Sequence, residues 1–183
     1  MRTFIALELP KDILQTLAQR QKELKELPVP VKWVPPAHFH LTLKFLGETA
    51  AADLPVIQKN LEACAGAKIP AGLTQISAFP DAARPQVIWA GLKAKTDALK
   101  ELREKIETLI SPLGYPAEER AFHAHITLGR LKTRQGQKTL KKALMACPPF
   151  PKETFTLELL SFFQSTLTPA GPVYQRLHQI ILS

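Results

Sequence analysis

The sequence predicts a mixed fold of helices and strands that is built as an internal duplication. Two observations indicate it. The hexamer "HFHLTL" at residues 38–43 returns as "HAHITL" at 123–128, and the segments around the two hexamers follow one order. In each half that order is strand, helix, motif strand, helix, strand. Since no low-complexity linker separates the halves, we expect a single two-lobed domain over 1–183, with repeats at about 1–80 and 84–183.

The first half begins with an apolar, strand-like run at 3–9. Pro10 then opens a helix whose apolar residues recur near a period of 3.6, and a Pro-rich loop at 28–36 leads into the first hexamer. A strand at 72–79 completes the half. The helix before that strand carries on one face Leu54, Ile57, Leu61 and Cys64.

The second half begins with a strand at 86–92, after which Thr96 and Asp97 are suitable caps for a helix. The residues that this helix is expected to bury are Leu99, Leu102, Ile106, Leu109 and Ile110. A turn-rich loop at 111–120 leads into the second hexamer. The remaining predicted elements are a basic helix at about 135–146 and strands at 154–163 and 172–182.

Composition and charge favour a globular protein with an anionic partner. The chain is 45% hydrophobic and 22% charged, with a net charge of +8. A positive net charge of this size suits binding of RNA or a phosphorylated small molecule, although a solvated basic surface would give the same net charge. Two widely spaced cysteines do not indicate a disulfide framework. The N-terminus lacks the features of a signal peptide, and no apolar segment is long enough to span a bilayer, so we expect a cytoplasmic protein without membrane contacts.

The alternation of side chains along a strand gives each hexamer two different faces. In the first copy one face receives His38, His40, Thr42 and then Lys44, while the other receives Phe39, Leu41, Leu43 and Phe45. The second copy repeats this pattern with His123, His125 and Thr127. With only 5 histidines in the chain, chance predicts fewer than one His-x-Thr pair. Two matched pairs therefore indicate a functional site.

Two imidazoles that face one cavity suit proton transfer at phosphorus. The ordinary pKa of histidine is close to neutrality, so one ring can act as a base while the other acts as an acid. A threonine hydroxyl beside each ring can donate a hydrogen bond to an anionic oxygen. In-line displacement at phosphorus needs that set of groups: a base for the attacking oxygen, an acid for the leaving oxygen, and donors for the remaining oxygens.

A metal site is the competing interpretation, because a His-x-His pair also suits zinc, iron or nickel. Such sites usually add a carboxylate or a further histidine. Neither hexamer contains Asp or Glu, and threonine at the repeated position is a poor ligand for these metals. We therefore expect neither a metal nor another cofactor.

The motifs "HLTL" and "HITL", together with the duplicated order of elements, resemble the two-histidine phosphoesterase superfamily. Within it the chain is most similar to the 2′-5′ RNA ligase-like (LigT-like) family, also called RNA 2′,3′-cyclic phosphodiesterase. The resemblance covers nearly the whole chain. It includes the segments "MRTFIALELP", "VKWVPPAHFHLTLKFLGE", "RPQVIWAGL", "HITLGRL" and "STLTPAGPVYQRL".

This resemblance implies a bilobal α+β fold in which two antiparallel sheets line a central cleft, with the helices outside. It implies metal-free opening of 2′,3′-cyclic phosphate ends of RNA to 2′-phosphates, and reversible 2′-5′ RNA ligation as a further activity. The family pattern maps His40 to the proton donor and His125 to the proton acceptor. It maps Thr42 and Thr127 to the phosphate-binding hydroxyls.

Five other residues are weaker candidates for contact with substrate. His38 and His123 share the face of the motif histidines, one step further out, where exposed strand-end histidines are also common. Trp33 and Tyr174 could stack on a base, as could Phe45 if it were not a core residue. Arg130 should point away by regular alternation, unless a β-bulge at Gly129 turns it toward the phosphate. A basic stretch after the second motif could guide RNA or be a solvated helix face: Lys132, Arg134, Lys138, Lys141 and Lys142.

Two alternatives to an RNA phosphodiesterase stay open at this point. One is an enzyme of the same superfamily that acts on a small cyclic nucleotide. The other is a protein that binds RNA ends without catalysis, although binding alone does not need a matched proton donor and acceptor. For the first interpretation the partners are RNA with a cyclic phosphate end, tRNA fragments among them, and the protein is expected to be a monomer.

Overall fold

The structure is a computed structural model that describes residues 1–118, 121–169 and 171–183. The described residues form four α-helices and nine strands. In chain order these are β1 (Arg2–Glu8), α1 (Lys11–Lys25), β2 (Val31–Trp33), β3 (His40–Glu48), α2 (Leu54–Glu62), β4 (Ile69–Phe79), β5 (Val87–Ala94), α3 (Ala98–Ile110), β6 (His125–Leu131), α4 (Gln137–Ala146), β7 (Phe155–Leu157), β8 (Leu159–Thr168) and β9 (Gly171–Ile181). Short 3₁₀ turns lie at Pro36–His38, Ala51–Asp53 and Ser111–Leu113.

The strands form two antiparallel sheets, and each sheet contains strands from both halves of the chain. The four-stranded sheet has the order β3-β1-β8-β9, and the five-stranded sheet has the order β2-β6-β5-β4-β7. Each motif strand therefore pairs with the first strand of its own half: β3 with β1, and β6 with β5. The later strands of each half pair with the other half: β4 of the first half pairs with β5, and β8 of the second half pairs with β1. The predicted duplicated α+β architecture is confirmed.

Apolar side chains on the outer faces of the sheets pack against the helices. In the motif strands Leu41, Leu43, Ile126 and Leu128 are buried, as the alternation predicts. The helices contribute residues spaced three or four apart, the spacing that gives a helix one apolar face. These are Ile13, Leu17 and Leu24 in α1, Ile57 and Leu61 in α2, Leu99, Leu102, Ile106 and Ile110 in α3, and Leu140 and Leu144 in α4.

Several predicted boundaries differ from the structure. The Pro-rich loop contains the short edge strand β2, held by three residue pairs to β6. The predicted strand at 154–163 is divided into β7 and β8, which belong to different sheets. At the start of α3 the Asp97 side chain makes no capping hydrogen bond, while the Thr96 hydroxyl accepts one from the Ala98 amide at 3.4 Å.

Cys64 is buried and Cys147 is partly exposed, and both are free thiols. Among the described residues, no helix combines the length and the apolar character needed to cross a bilayer.

A β-bulge interrupts each motif strand at the equivalent place. In the first half Ala6 pairs with Thr42 and the next pair is Ile5 with Lys44, so Leu43 is the extra residue. In the second half Trp89 pairs with Thr127 and Ile88 with Gly129. A bulge reverses the alternation beyond it, because one residue is left over. The two bulges therefore decide which side chains enter the cleft after each His-x-Thr motif.

The prediction that Phe45 is a core residue and Lys44 faces the cleft was wrong for this reason. The Phe45 side chain is 58% exposed, whereas Lys44 is only 1% exposed. The Lys44 ammonium donates to Glu107 Oε2 of helix α3 at 2.6 Å and to the Pro116 carbonyl, in the loop after that helix, at 2.9 Å. A buried ammonium is tolerated only when it is paired and hydrogen-bonded, and Lys44 meets both conditions.

Candidate active site

The two motif histidines occupy the first positions of β3 and β6, and both rings are held in the same way. His40 Nδ1 lies 2.7 Å from the His38 carbonyl oxygen, and His125 Nδ1 lies 2.6 Å from the His123 carbonyl oxygen. A carbonyl only accepts, so Nδ1 carries the proton and donates in both cases. In the neutral rings Nε2 is left unprotonated and free for proton transfer. The repeated hexamer thus builds two imidazoles in one tautomer.

Aromatic rings surround His40 on three sides. Phe4 of β1 stacks on it with ring centroids 4.9 Å apart, Tyr174 of β9 meets it edge-on at 5.5 Å, and Phe163 of β8 lies at 6.5 Å. Burial among these rings lowers the pKa of His40 from 6.5 to about 4. The hydrogen bond to the His38 carbonyl opposes this by raising the pKa, while the charges of His38 and His125 lower it further.

His125 has a similar but more open environment. Phe79 of β4 lies edge-on at 4.9 Å and Trp89 of β5 at 6.3 Å. Burial lowers the pKa of His125, the bond to the His123 carbonyl raises it, and the charges of His123 and Arg130 lower it. The carboxylate of Glu118 acts in the opposite direction and raises it. Both imidazoles are therefore mainly neutral at pH 7 in the free protein.

The structure brings the two motifs together across the cleft. Strands β3 and β6 are in contact although they belong to different sheets. The charge of His125 acts on the pKa of His40, so the two rings are electrostatically coupled. Thr42 and Thr127 are partly buried, and each lies two residues beyond its histidine on the same face. The two His-x-Thr motifs therefore lie on strands that contact each other, and their imidazoles are close enough to interact electrostatically.

The second bulge turns Arg130 into the cleft. Beyond the extra residue, Arg130 pairs with Val87 on one side and Lys32 on the other. The charge of Arg130 lowers the pKa of His125 in the five-stranded sheet and that of Tyr174 in the four-stranded sheet, although burial still makes the net shift of Tyr174 upward. Arg130 therefore lies between the sheets, as the alternative with a β-bulge allowed, and the outward position expected from regular alternation was wrong.

Helix α1 supports this bulge from the outer side. The buried Gln21 amide donates to the Leu128 carbonyl at 2.9 Å and to the Val34 carbonyl at 2.7 Å. A side chain at Gly129 would not fit, because its Cβ would lie 2.7 Å from Val31 and 2.8 Å from the Trp33 ring. Glycine is therefore needed at this position so that the edge strand β2 can pack closely against the bulge.

Other predicted residues differ in where they lie. His38 and Tyr174 are neighbours, with ring centroids 4.8 Å apart, and Tyr174 also faces His40. His123 is exposed and lies 5.3 Å from the Trp89 ring. Trp33 packs against Gly129 and the core, on the face opposite Lys32, so the structure does not bring it into the cleft. The backbone carbonyls of His38 and His123 have a clear role, since they orient the motif imidazoles.

Sequence reasoning missed the aromatic residues that line the cleft, Phe4, Phe79, Trp89 and Phe163. All four lie in strands that were predicted, but in strands remote from the hexamers. Strand β1 pairs with β8 so that Phe4 lies opposite Phe163. Strand β4 pairs with β5 so that Phe79 lies opposite Val87, the residue before Ile88. The one signal in the sequence was the presence of an aromatic residue in each of these strands. It gives no indication of which face the ring occupies.

In the part of the chain that the structure describes, no group of three or more His, Cys, Asp or Glu side chains has an arrangement that could hold a metal ion.

The sequence model of the LigT like phosphoesterase family matches residues 7–89 and again 92–174, once in each half. The chain belongs to the LigT-like phosphoesterase family. Among curated LigT-like relatives, the RNA 2′,3′-cyclic phosphodiesterase of Methanocaldococcus jannaschii is 33% identical, with 96% of this chain and 97% of the relative covered. The protein of the same name from Bacillus subtilis is 28% identical, with 98% and 96% covered.

Solved structures share the LigT-like fold over the entire chain. The crystal structure of TT0787 of Thermus thermophilus has a TM-score of 0.85 and 29% identity, and covers 100% of this chain and 98% of that one. E. coli LigT complexed with 3′-AMP has a TM-score of 0.81 at 21% identity, with 100% and 98% covered.

Proposed function

We propose that this protein is an RNA 2′,3′-cyclic phosphodiesterase that opens cyclic phosphate ends to 2′-phosphates without a metal ion or other cofactor. The observation that carries the proposal is the pair of coupled imidazoles, both fixed through Nδ1 and both with a free Nε2. The names of the curated relatives, which match over nearly their full length, support the substrate.

In the proposed reaction His125 is the base and His40 is the acid, as the family pattern assigns them. His125 Nε2 takes a proton from water as the water oxygen forms a bond to phosphorus. The bond from phosphorus to the 3′-oxygen breaks, and His40 Nε2 gives that oxygen a proton. Thr42 and Thr127 donate hydrogen bonds to the phosphate oxygens. In-line attack requires the acid and the base on opposite sides of phosphorus. The location of His40 and His125 on strands of different sheets supports this assignment.

The acid must gain its proton when substrate binds, because burial keeps the pKa of His40 near 4 in the free protein. A cyclic phosphate diester carries a negative charge, and a nearby negative charge favours the protonated imidazole. The aromatic rings around His40 strengthen this interaction by excluding water. Arg130, exposed at the cleft beside His125, adds a positive charge that attracts the anionic substrate to the cleft.

The nucleoside of the terminal residue is proposed to contact the aromatic side chains of the cleft. Tyr174 with His38 forms one such surface, and Trp89 with His123 forms another. Base stacking on an aromatic ring contributes about 1–3 kcal/mol and tolerates any base. A small cyclic nucleotide could use the same surfaces, so the alternative substrate class is separated by kinetics with both kinds of substrate.

Four further predictions belong to this proposal. Reversible 2′-5′ RNA ligation would use the same histidines with their roles exchanged. The basic residues after β6, from Lys132 to Lys142, would attract RNA through its backbone. tRNA fragments are among the RNAs that could supply the substrate. We also propose a cytoplasmic monomer, in keeping with two free cysteines.

Incubation with a short RNA that ends in a 2′,3′-cyclic phosphate tests the function. We expect one product, the 2′-phosphate, identified by phosphorus NMR or by chromatography against both isomers. A mixture of 2′- and 3′-phosphates would mean that the histidines do not hold the assigned roles. Binding of the RNA without turnover would instead identify an RNA-end-binding protein.

A further inference from the structure

Two cations lie opposite each other at one end of the cleft, and the proposed hydrolysis does not account for both. Lys32 on the edge strand β2 pairs directly with Arg130 on β6. Residues that are directly opposite in an antiparallel pair point to the same side, with Cβ atoms about 5 Å apart. Both side chains are exposed, and within the described ranges neither has a carboxylate partner.

The side on which these cations lie is the cleft side. The row of paired residues across the five-stranded sheet runs from Lys32 through Arg130 and Val87 to Phe79. The Phe79 ring contacts the His125 ring at 4.9 Å. On the opposite face, Val31 and Trp33 pack over Gly129. Lys32 is therefore on the same face of the sheet as the catalytic groups.

Lys32 also approaches the other sheet. Its Cε lies 4.0 Å from the position that a Cβ on Gly171 would take, at the start of β9. The hairpin of β8 and β9 thus limits the space open to the Lys32 side chain at this end of the cleft. The same strand β9 carries Tyr174 beside His40. The cation pair therefore lies where the two sheets come together.

Like charges directly opposite each other destabilise a sheet. Among the described residues neither cation forms a salt bridge with a carboxylate; Glu118 is the acid whose charge also acts on His125. An anion between the two side chains would remove this repulsion. Along β6, Arg130 lies three residues beyond Thr127, which corresponds to about 10 Å of strand. Arg130 and its cross-strand partner Lys32 are thus displaced along the strand from the proposed position of the cyclic phosphate. An anion held by both cations lies outside the reacting centre.

We propose that Lys32 and Arg130 form a subsite for the phosphodiester one nucleotide upstream of the cyclic end, so that the protein selects oligonucleotides over mononucleotides. The inference rests on the proposed function, because it assigns a second contact to the same substrate. Each phosphate neutralised by Lys or Arg adds an electrostatic contribution to binding that weakens as salt increases. Lys32 contributes that interaction only when an internal phosphate is present.

The test compares kcat/KM for three substrates with the wild-type protein and with Lys32→Gln. The first substrate is a dinucleotide that ends in a 2′,3′-cyclic phosphate. The second is the same dinucleotide with an uncharged methylphosphonate at the internal linkage, and both carry a 2′-deoxy sugar at the 5′ position for chemical stability. The third is the mononucleoside 2′,3′-cyclic phosphate. Lys100→Gln is the matched control, since Lys100 is exposed on α3 and, among the described residues, forms a salt bridge only with Glu104.

We expect Lys32→Gln to lower the ratio of kcat/KM for the charged dinucleotide to that for the mononucleotide about tenfold, which corresponds to about 1.4 kcal/mol, because the variant loses a charged contact to the internal phosphate. Lys100→Gln should leave this ratio unchanged. The methylphosphonate should abolish the effect of the Lys32 substitution, as expected when two changes remove one interaction. The salt dependence for the charged dinucleotide should also decrease by about one phosphate contact.

An equal loss on the charged dinucleotide and the mononucleotide would overturn the subsite, as would a loss that persists with the methylphosphonate. No change in any ratio would also overturn it. These outcomes are distinct from failure of the proposed function, which would appear as no turnover of any cyclic phosphate by the wild-type protein.

Discussion

The burial of His40 should make the protein sensitive to acid in a way that one substitution removes. The pKa of His40 is lowered from 6.5 to about 4, mainly because burial disfavours the charged ring. The unfolded chain therefore binds a proton at higher pH than the folded protein does. For this reason His40 does not change the free energy of unfolding above pH 6.5, and it lowers that free energy as the pH decreases from 6.5 toward 4.

The magnitude follows from the size of the shift. One pKa unit corresponds to about 1.4 kcal/mol, so the full loss from His40 below pH 4 is at most about 3 kcal/mol. At pH 5 it has reached about 2 kcal/mol. The side of the ring that faces the open cleft remains near water, so the measured loss should lie below these values. For a chain of this size even about 1 kcal/mol moves the thermal midpoint by about 2–4 °C.

Urea unfolding at pH 7 and pH 5 measures this loss in the wild-type protein and in His40→Asn. Asparagine retains a donor for the His38 carbonyl but does not titrate. The decrease in the free energy of unfolding between pH 7 and pH 5 should be smaller in His40→Asn than in the wild-type protein by about 1–2 kcal/mol. His178→Asn is the control, because His178 pairs with Glu62 away from the cleft. Identical losses in the wild-type protein and in His40→Asn would refute the reasoning, since titrating groups that are not coupled to His40 cancel in the comparison.

The remaining predictions concern catalysis and folding. His40→Ala and His125→Ala should each lower kcat by roughly 10²–10⁴-fold without unfolding the protein. Thr42→Ala or Thr127→Ala should lower kcat less. A His variant with near-normal turnover and a normal melting curve would exclude the acid–base pair. The pH dependence of kcat/KM should be bell-shaped with both limbs below about 6.5, because the pKa values of both imidazoles are lowered in the free protein. The bell-shaped profile of kcat should lie at higher pH, because the bound substrate anion favours the protonated imidazole. A rate that rises steadily to alkaline pH would remove the need for a protonated histidine. Activity should survive exhaustive treatment with EDTA, and loss that zinc, manganese or magnesium restores would favour a metal site. Calorimetry should show one unfolding transition, because each half supplies strands to the sheet of the other; two separable transitions would divide the single domain that the sequence predicts.

Some properties of this protein follow from local sequence alone. The alternation within "HFHLTL" and "HAHITL" fixes a buried apolar face and a face with His and Thr, because successive side chains of a strand point to opposite sides. The repetition of the hexamer within repeated surroundings predicts the duplication. The motif residues and the order of helices and strands could therefore be predicted without coordinates.

The positions beyond each motif could not be predicted in the same way. Phe45 and Lys44 exchange faces because of a bulge whose presence depends on the partner strand β1, and no signal within β3 marks it. For Arg130 the sequence offered Gly129 as a hint, but only the packing of Val31 and Trp33 over that glycine shows why the bulge forms there.

The chemistry of the histidines also depends on distant parts of the chain. The hexamers supply the rings and the carbonyls that orient them, which are two residues apart. The lowered pKa of His40 comes from Phe4, Phe163 and Tyr174, which three other strands bring to the ring. Covalent spacing determines a contact within a strand, and the sequence shows it directly. Sheet order and register determine a contact between strands, and these follow from the packing of the whole chain.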